Sequence, residues 1–387
     1  MKIAVVVSHP IQHFCPQYAS WATIDGIDLK VFFGSNLGAV KYIDSNFKQE
    51  VQWNNLYLDE FCHEFLNGTL TLEPNSILDA ENLDERLSEF APDLIVHYGY
   101  FHRLSKHARL WAIKKCVKIA YISDSEHNQK RPLWKELLKF PYLYYFFKKE
   151  DYFLSVGNTN EKYYNFYGVP NYKIRRMHFA IDIRNFDKFF EQKKTFKKTF
   201  RSKLGIESQD IVLTVVGKLV KWKNQDHLIK LLIQLEQTFT SKKFHLLIVG
   251  SGPMENEWKE LAIKLKHNKA HFLGFVDPLE LPIIYGSSDI YVHPALLEPH
   301  SLSISEAIYM GCPIIVANTC GSWGDDDDVQ IERNGFVYQH GNLNDLQIQI
   351  VKIIEENKFE TFGKYSIEIS RVFQHKSHFG VIKQLLQ

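Results

Sequence analysis

The run 211-IVLTVVGKLVKWKNQDHLIKLLIQLEQTF-239 decides the fold. It opens on 211-IVLTVVG-217, a nearly unbroken apolar stretch of the kind that forms a strand buried on both faces. It closes on 226-DHLIKLLIQLEQTF-239, where Leu228, Leu231, Leu232 and Leu235 recur at helical spacing and Asp226 is available as an N-cap. A short loop of glycine and lysines joins the two. Strand, loop and amphipathic helix together make the repeating unit of a parallel sheet covered by helices on both sides.

The same alternation extends in both directions. In the first half the apolar runs predict strands at 3-IAVVV-7, 28-DLKVFF-33, 94-LIVHY-98, 117-VKIAYIS-123 and 152-YFLSV-156. After residue 211 they predict further strands at 244-FHLLIVG-250, 271-HFLGF-275, 289-DIYVH-293, 313-PIIVA-317 and 335-GFVY-338. The pattern restarts once, across the lysine-rich segment 183-IRNFDKFFEQKKTFKKTFRSKLGIES-208. The expected class is therefore α/β, with two Rossmann-like doubly wound domains facing a central cleft. Residues 1–185 make the first domain, 186–209 a linker and 210–361 the second. The tail, 362–387, reads as helix and is expected to pack back onto the first domain. Ligands of such folds bind at the carboxyl ends of the strands.

Composition excludes several classes. A chain of 387 residues suits two cores better than one. A net charge of +1 argues against a general nucleic-acid binder. Five cysteines without close pairing suit reduced thiols in a cytoplasmic protein, with no zinc or disulfide framework. The opening MKIAVVVSHP reads as a first strand, not a signal peptide, and no window approaches the roughly 20 apolar residues that span a bilayer. Peripheral contact with the inner face of the plasma membrane stays open. The basic, aromatic segment 183–208 is one place for it; the commoner arrangement is a solvated face with Phe196 and Phe200 turned inward.

The chemistry concentrates in 297-LEPHSLSISEAIYMGCPIIVAN-318. In one continuous helix Glu298 and Glu306 would sit roughly 80° apart, not on one face. Pro299 also biases Glu298 away from the helical region. Glu298 therefore ends the loop after 289-DIYVH-293, and the helix starts between Ser301 and Ser303. Two readings of Glu306 follow. Ser303-Ile-Ser-Glu306 is a capping-box pattern, in which Glu306 only satisfies backbone N–H groups. Alternatively the helix start cradles a phosphate with the amides of Ser301 and Leu302. Glu298 and Glu306 would then accept sugar and ribose hydroxyls on either side. Lys218 and Lys223, in the loop opened by Gly217, would neutralise a departing diphosphate.

These residues resemble the GT-B glycosyltransferases, most closely the retaining family 4. The motifs are 217-GKLVKWK-223, 249-VGSGP-253, 274-GFV-276, 298-EPHSLSISEA-307 and 311-GCPIIVAN-318, in the family's order over about a hundred residues. The resemblance implies two Rossmann-like domains and a nucleotide-sugar donor, best a UDP-sugar. Lys218 and Lys223 would hold the diphosphate near Gly217 and Gly252, Glu306 the ribose, Glu298 the donor sugar, and Val276 would lie near the base. His300 and Ser301 stand where the family usually has an aromatic residue and glycine, and Lys218 where it often has arginine.

In the first half, 162-KYYNFYGVPNYKIRRMHFAIDIRNF-186 resembles the family's domain ending, with Ala180 in place of a glycine. Asp124, in the loop 123-SDSEHNQKR-131, is the first candidate on the acceptor side, followed by His9 and His13 in 8-SHPIQHF-14. The implied reaction is metal-independent transfer with retention to a hydroxyl of a glycan or polyprenyl-linked glycan. The family-level setting is capsule, O-antigen or exopolysaccharide synthesis. The run 325-DDDD-328 contains an Asp-x-Asp string, but its loop context reads as solvated or acceptor-side. A UDP-sugar epimerase of the same architecture and a non-catalytic sugar-nucleotide-binding protein are the competing readings. No G-x-G-x-x-G follows the first strand, which weighs against a nicotinamide dehydrogenase.

Overall fold

Along β1 (Lys2–Val7), Ile3, Val5 and Val7 pack into one apolar layer and Ala4 and Val6 into the other, all buried. A strand covered on both faces is what its unbroken apolar run predicts. The computed structural model describes residues 1–44, 49–51, 53, 55–67, 77–127, 133–239 and 242–385. The chain divides into two compact units, Met1–Asp182 with Phe373–Gln387, and Ile183–Val372.

In the first unit β1 lies between β2 (Asp28–Phe33) and β6 (Leu94–Tyr98), all parallel. A short antiparallel pair, β3 (Tyr42–Asp44) with β4 (Gln49–Val51), stands apart from this sheet. With β5 (Cys62–Phe65), β7 (Lys118–Ile122), β8 (Tyr152–Ser155) and β9 (Ile174–Arg176), the strand order is β5-β2-β1-β6-β7-β8-β9. The order reverses between β1 and β6, so the loops that follow those two strands flank a crevice. Of the expected tail 362–387, Phe373–Gln387 belongs here as well, whereas 362–372 stay with the second unit. Gln17 Nε2 and Trp21 Nε1 donate to the Ser377 carbonyl at 2.9 and 3.2 Å, and Val381, Ile382 and Leu385 join the β1 core.

The second unit repeats the plan with β10 (Ile211–Val216), β11 (Phe244–Val249), β12 (Lys269–Gly274), β13 (Ile290–His293), β14 (Ile314–Ala317) and β15 (Gly335–Tyr338). Their order is β12-β11-β10-β13-β14-β15, so the reversal falls between β10 and β13. The helix Asp226–Thr238 buries Leu228, Leu231, Leu232 and Leu235 against the sheet as their spacing predicts. Gln225 holds the cap position, and Asp226, one residue in, pairs with Lys230 at 2.6 Å.

Every strand expected from an apolar run is present with its ends within two residues. Residues 183–203, read as part of a connection, form the helices Ile183–Phe190 and Lys193–Lys203 of the second unit. Arg201 and Lys197 pair with Asp289, Lys193 donates to the Met310 carbonyl, and Phe196 and Phe200 are half-buried. Among the described residues no helix is long and apolar enough to cross a membrane.

Candidate active site

The loops after β10 and β13 meet at the second reversal point. Gly217 ends β10 with φ 153°, and its N–H bonds the Val249 carbonyl at 2.9 Å. Leu219 N–H then bonds Ser251 O at 3.0 Å, so the first loop runs as a ribbon along 249-VGSGP-253. A Cβ at Gly250 would lie 2.1 Å from Gly217 O, and one at Gly252 2.4 Å from Leu219 O. Only glycine allows two backbones to approach that closely. The loop tightens into a 3₁₀ turn at Lys221–Lys223, and Leu296 N–H donates to Trp222 O at 2.8 Å, tying it to the loop after β13. Lys218 is half-buried, and its carbonyl accepts from Gln225 Nε2 at 3.1 Å.

That tie delivers Lys223 to Glu298. Lys223 Nζ donates to Glu298 Oε2, and His293 Nε2 lies 3.2 Å from the same oxygen. Burial pushes the Glu298 carboxyl up. The His293 hydrogen bond and the Lys223 charge outweigh it and hold the group at about 2. Burial also lowers His293, although Glu298 opposes the shift, so the imidazole is neutral at neutral pH. A neutral ring that donates from Nε2 must accept at Nδ1, where Tyr291 Oη lies 3.4 Å away. Tyr291 Oη is 2.6 Å from Ser303 Oγ, which is 2.9 Å from Ser301 Oγ. A polar chain therefore joins the start of one helix to Glu298 and Lys223. Tyr291, His293 and Ser303 are missing from the candidates drawn from sequence. The signal for His293 was its place at the carboxyl end of a strand beside the reversal point.

The helix is Leu302–Tyr309 with Ser301 at its N-cap, two residues earlier than the capping-box reading requires. Glu306 therefore lies in the second turn and caps nothing. Its Oε2 accepts from Tyr285 Oη at 2.7 Å, and burial pushes the carboxyl up to about 7 although that hydrogen bond lowers it. Ser301 N–H donates to Ser322 Oγ at 2.8 Å. Among the described residues the N–H groups of Leu302 and Ser303 meet no acceptor, which leaves two donors at the positive end of the helix.

The acidic run is not simply solvated. Asp325 and Asp326 are exposed, but Asp327 and Asp328 are buried. His300 Nε2 lies 3.2 Å from Asp328 Oδ2, and Ser305 Oγ donates to the same oxygen at 2.6 Å. The buried ring of His300 thus faces internal carboxylates, which fasten this loop to the helix start. Val276 lines a cavity of about 470 Å3 with Phe196, Phe200, Leu273 and Ile283.

The acceptor-side candidates belong to the first unit. His9 and His13 follow β1 and are both half-buried. Burial, with the charge of His102 acting on His9 and that of His9 on His13, lowers each to about 4. Both are therefore neutral near pH 7. Asp124 follows β7 and is exposed, whereas Glu126, two residues on, is 5% exposed. Residues 128–131 of that candidate loop lie outside the described residues.

Replacing His293 by phenylalanine is expected to leave folding intact and remove one hydrogen bond from a charged acceptor. If Glu298 must be held in place for turnover, kcat falls about tenfold with little change in nucleotide KM. Steady-state kinetics of His293→Phe beside wild type decides it; an unchanged kcat removes His293 from any positioning role.

Residues 196–369 match the family model described as glycosyl transferases group 1. An uncharacterized glycosyltransferase of Methanocaldococcus jannaschii is 28% identical over 213 residues, covering 54% of this chain and 51% of that protein. Mannosylfructose-phosphate synthase of Agrobacterium fabrum is 25% identical over 232 residues, 56% of this chain and 49% of its own. The chain thus spans about half the length of the curated relatives it matches. Among solved structures, Anabaena HepE in complex with UDP superposes with a TM-score of 0.71 at 17% identity, covering 100% of this chain and 99% of its own. That likeness shows the fold, which is GT-B, as the five motifs imply.

Proposed function

We propose, from the match of residues 196–369 to the model of glycosyl transferases group 1, that the chain is a retaining glycosyltransferase using a UDP-sugar. The acceptor in this reading is a hydroxyl of a glycan or lipid-linked glycan, of the kind assembled at bacterial surfaces. One observation carries the proposal: Lys223, delivered by the loop after β10, meets Glu298 beside a helix start with two unengaged N–H groups.

The chemistry follows from that grouping. The bond between the anomeric carbon and the β-phosphate oxygen breaks, leaving an oxocarbenium-like sugar and a diphosphate anion. Lys223, Lys218 and the amides of Leu302 and Ser303 stabilise the anion where its charge develops. Glu298, released from Lys223 by the incoming phosphate, accepts the donor sugar's hydroxyls, and Glu306 accepts the ribose diol. The acceptor hydroxyl attacks from the face the phosphate leaves, and its proton passes to the leaving phosphate oxygen. Positive charge comes from lysines and the helix end, so the reading assigns no metal a part. Asp124, His9 and His13 of the first unit are the candidate contacts for the acceptor.

Thermal unfolding with a panel of nucleotides tests the donor half. UDP at about a hundred times its Kd is expected to raise the midpoint by roughly 5–10 °C, as mass action on a unit of this size predicts. Absence of any nucleotide response sinks the reading. Incubation with UDP-sugar alone separates the competing activities: conversion to an epimer without acceptor identifies an epimerase. Binding without turnover on any acceptor identifies a sugar-nucleotide-binding protein.

A further inference from the structure

One surface of the first unit is apolar without being covered. The helix Leu133–Phe147 buries Leu143, Phe146 and Phe147 among Tyr121, Phe153 and Tyr164. Its opposite side carries Trp134 (60% exposed), Leu137 (74%), Leu138 (70%), Tyr142 (46%) and Tyr145 (68%), with exposed Pro141 among them. Positions 134, 137, 138, 141, 142 and 145 step by three, one, three, one and three, which is a single stripe roughly 17 Å long on one side of the helix. Folding alone does not explain it, since the same helix already has a buried side.

The charges around the stripe identify its occupant. Lys135, Lys148 and Lys149 are exposed, and Lys139 leans over the Tyr163 ring at 5.1 Å. The acids of the same stretch are turned inward or engaged. Glu136 accepts from Tyr167 Oη at 2.9 Å, Glu150 is buried against Arg109 and His97, and Asp151 accepts the Ile119 N–H at 2.9 Å. Asp151 is exposed while it accepts that N–H; the other exposed charges beside the apolar stripe, Lys135, Lys148 and Lys149, are positive. A second copy of this chain would meet the stripe with the same stripe, setting lysines against lysines. A bilayer surface containing anionic lipid meets both features at once. It receives leucines and rings below the headgroups, leaves tyrosine hydroxyls and the tryptophan N–H at their level, and attracts the lysines.

We propose that the exposed face of the helix Leu133–Phe147 docks this protein, in the plane of the surface, onto membranes that contain anionic lipid. Docking there does not depend on the reaction the second unit performs. It also places membrane contact on a different segment from the lysine-rich helix Lys193–Lys203, several of whose basic side chains bond within the second unit.

Co-sedimentation of the full chain with phosphatidylcholine vesicles, with and without phosphatidylglycerol, tests the proposal. Wild type is expected to bind the vesicles that contain phosphatidylglycerol and largely ignore the others. Leu137→Glu with Leu138→Glu is expected to weaken that partition at least about 100-fold. Lys148→Ala with Lys149→Ala should weaken it about fivefold per lysine at low salt. Both leucines are mostly exposed, so an unchanged unfolding midpoint is expected to show that the variant is folded. The proposal is overturned by failure of wild type to bind, by equal binding to neutral vesicles, or by full binding of the leucine variant. A concentration-dependent dimer that the leucine variant dissolves, without vesicle binding, reassigns the stripe to pairing between copies and overturns it as well.

Discussion

Lys223→Ala is expected to lower kcat/KM for sugar transfer by about a thousandfold, most of it in kcat. The argument starts from the ground state. Lys223 and Glu298 are paired and partly buried, at 20% and 15% side-chain exposure. The pair holds the ammonium against Glu298, three residues ahead of the helix's N-cap, before any ligand arrives. In the proposed reaction negative charge grows on the β-phosphate as the glycosidic bond breaks, and a fixed cation there would be worth more in the transition state than in the bound donor. Removing one such preorganised group from a site of developing charge typically costs a hundred- to a thousandfold in rate. The upper figure applies here because Lys223→Ala also leaves the Glu298 carboxylate without its counter-charge, facing the incoming phosphate. Lys223→Arg keeps the charge and is expected to recover part of the loss. A folded Lys223→Ala enzyme with kcat within threefold of wild type would mean that Lys223 serves only to satisfy Glu298.

The parts of this arrangement legible in sequence are those that depend on local pattern. The strand Ile211–Val216 is apolar because both its faces are covered, and its glycine and lysine loop follows at the carboxyl end as the βαβ plan requires. Edge strands lack that signature. In β9, 174-IRR-176, Arg176 is turned onto Glu161 at 2.6 Å, a partner supplied by a helix and invisible to any periodicity. His293 escaped for a similar reason. Its role rests on a carboxylate five residues on, across Pro294, and on the Tyr291 hydroxyl beside it. Of the acidic run, read as solvated or acceptor-side, only Asp325 and Asp326 are exposed; a chain that folds back on itself buries Asp327 and Asp328 against His300. Glycine positions show the opposite case: 249-VGSGP-253 was plain as a motif, but its cause is the Leu219 carbonyl that any Cβ at Gly252 would strike.

Glu306 links stability and ligand binding to pH with opposite signs, and Glu306→Gln should separate them. Its carboxyl ordinarily titrates near 4.5 and is pushed up to about 7 by burial in the folded unit. A group raised in the folded state favours folding fully below its unfolded value and loses that contribution as pH climbs through the folded one. The loss is complete above pH 7 and amounts to roughly 3 kcal/mol. Glutamine keeps an acceptor for Tyr285 Oη and does not ionise. The variant should match wild type near pH 4.5 and exceed it by most of that amount at pH 8, read as the difference in urea midpoints. Donor binding runs the other way. If the ionised carboxylate accepts the ribose diol, UDP binds the charged form, and wild-type affinity should rise about tenfold between pH 6 and pH 8. The nucleotide's own phosphate titration affects both proteins alike, so the glutamine variant supplies the baseline. Glu306→Gln should bind more weakly at pH 8 and lack the extra rise. Binding should also draw the carboxyl down and release a proton, visible as buffer-dependent heat in wild type and absent in the variant. Parallel affinity profiles for the two proteins would take the ribose away from Glu306 and leave its burial against Tyr285 as a matter of stability alone.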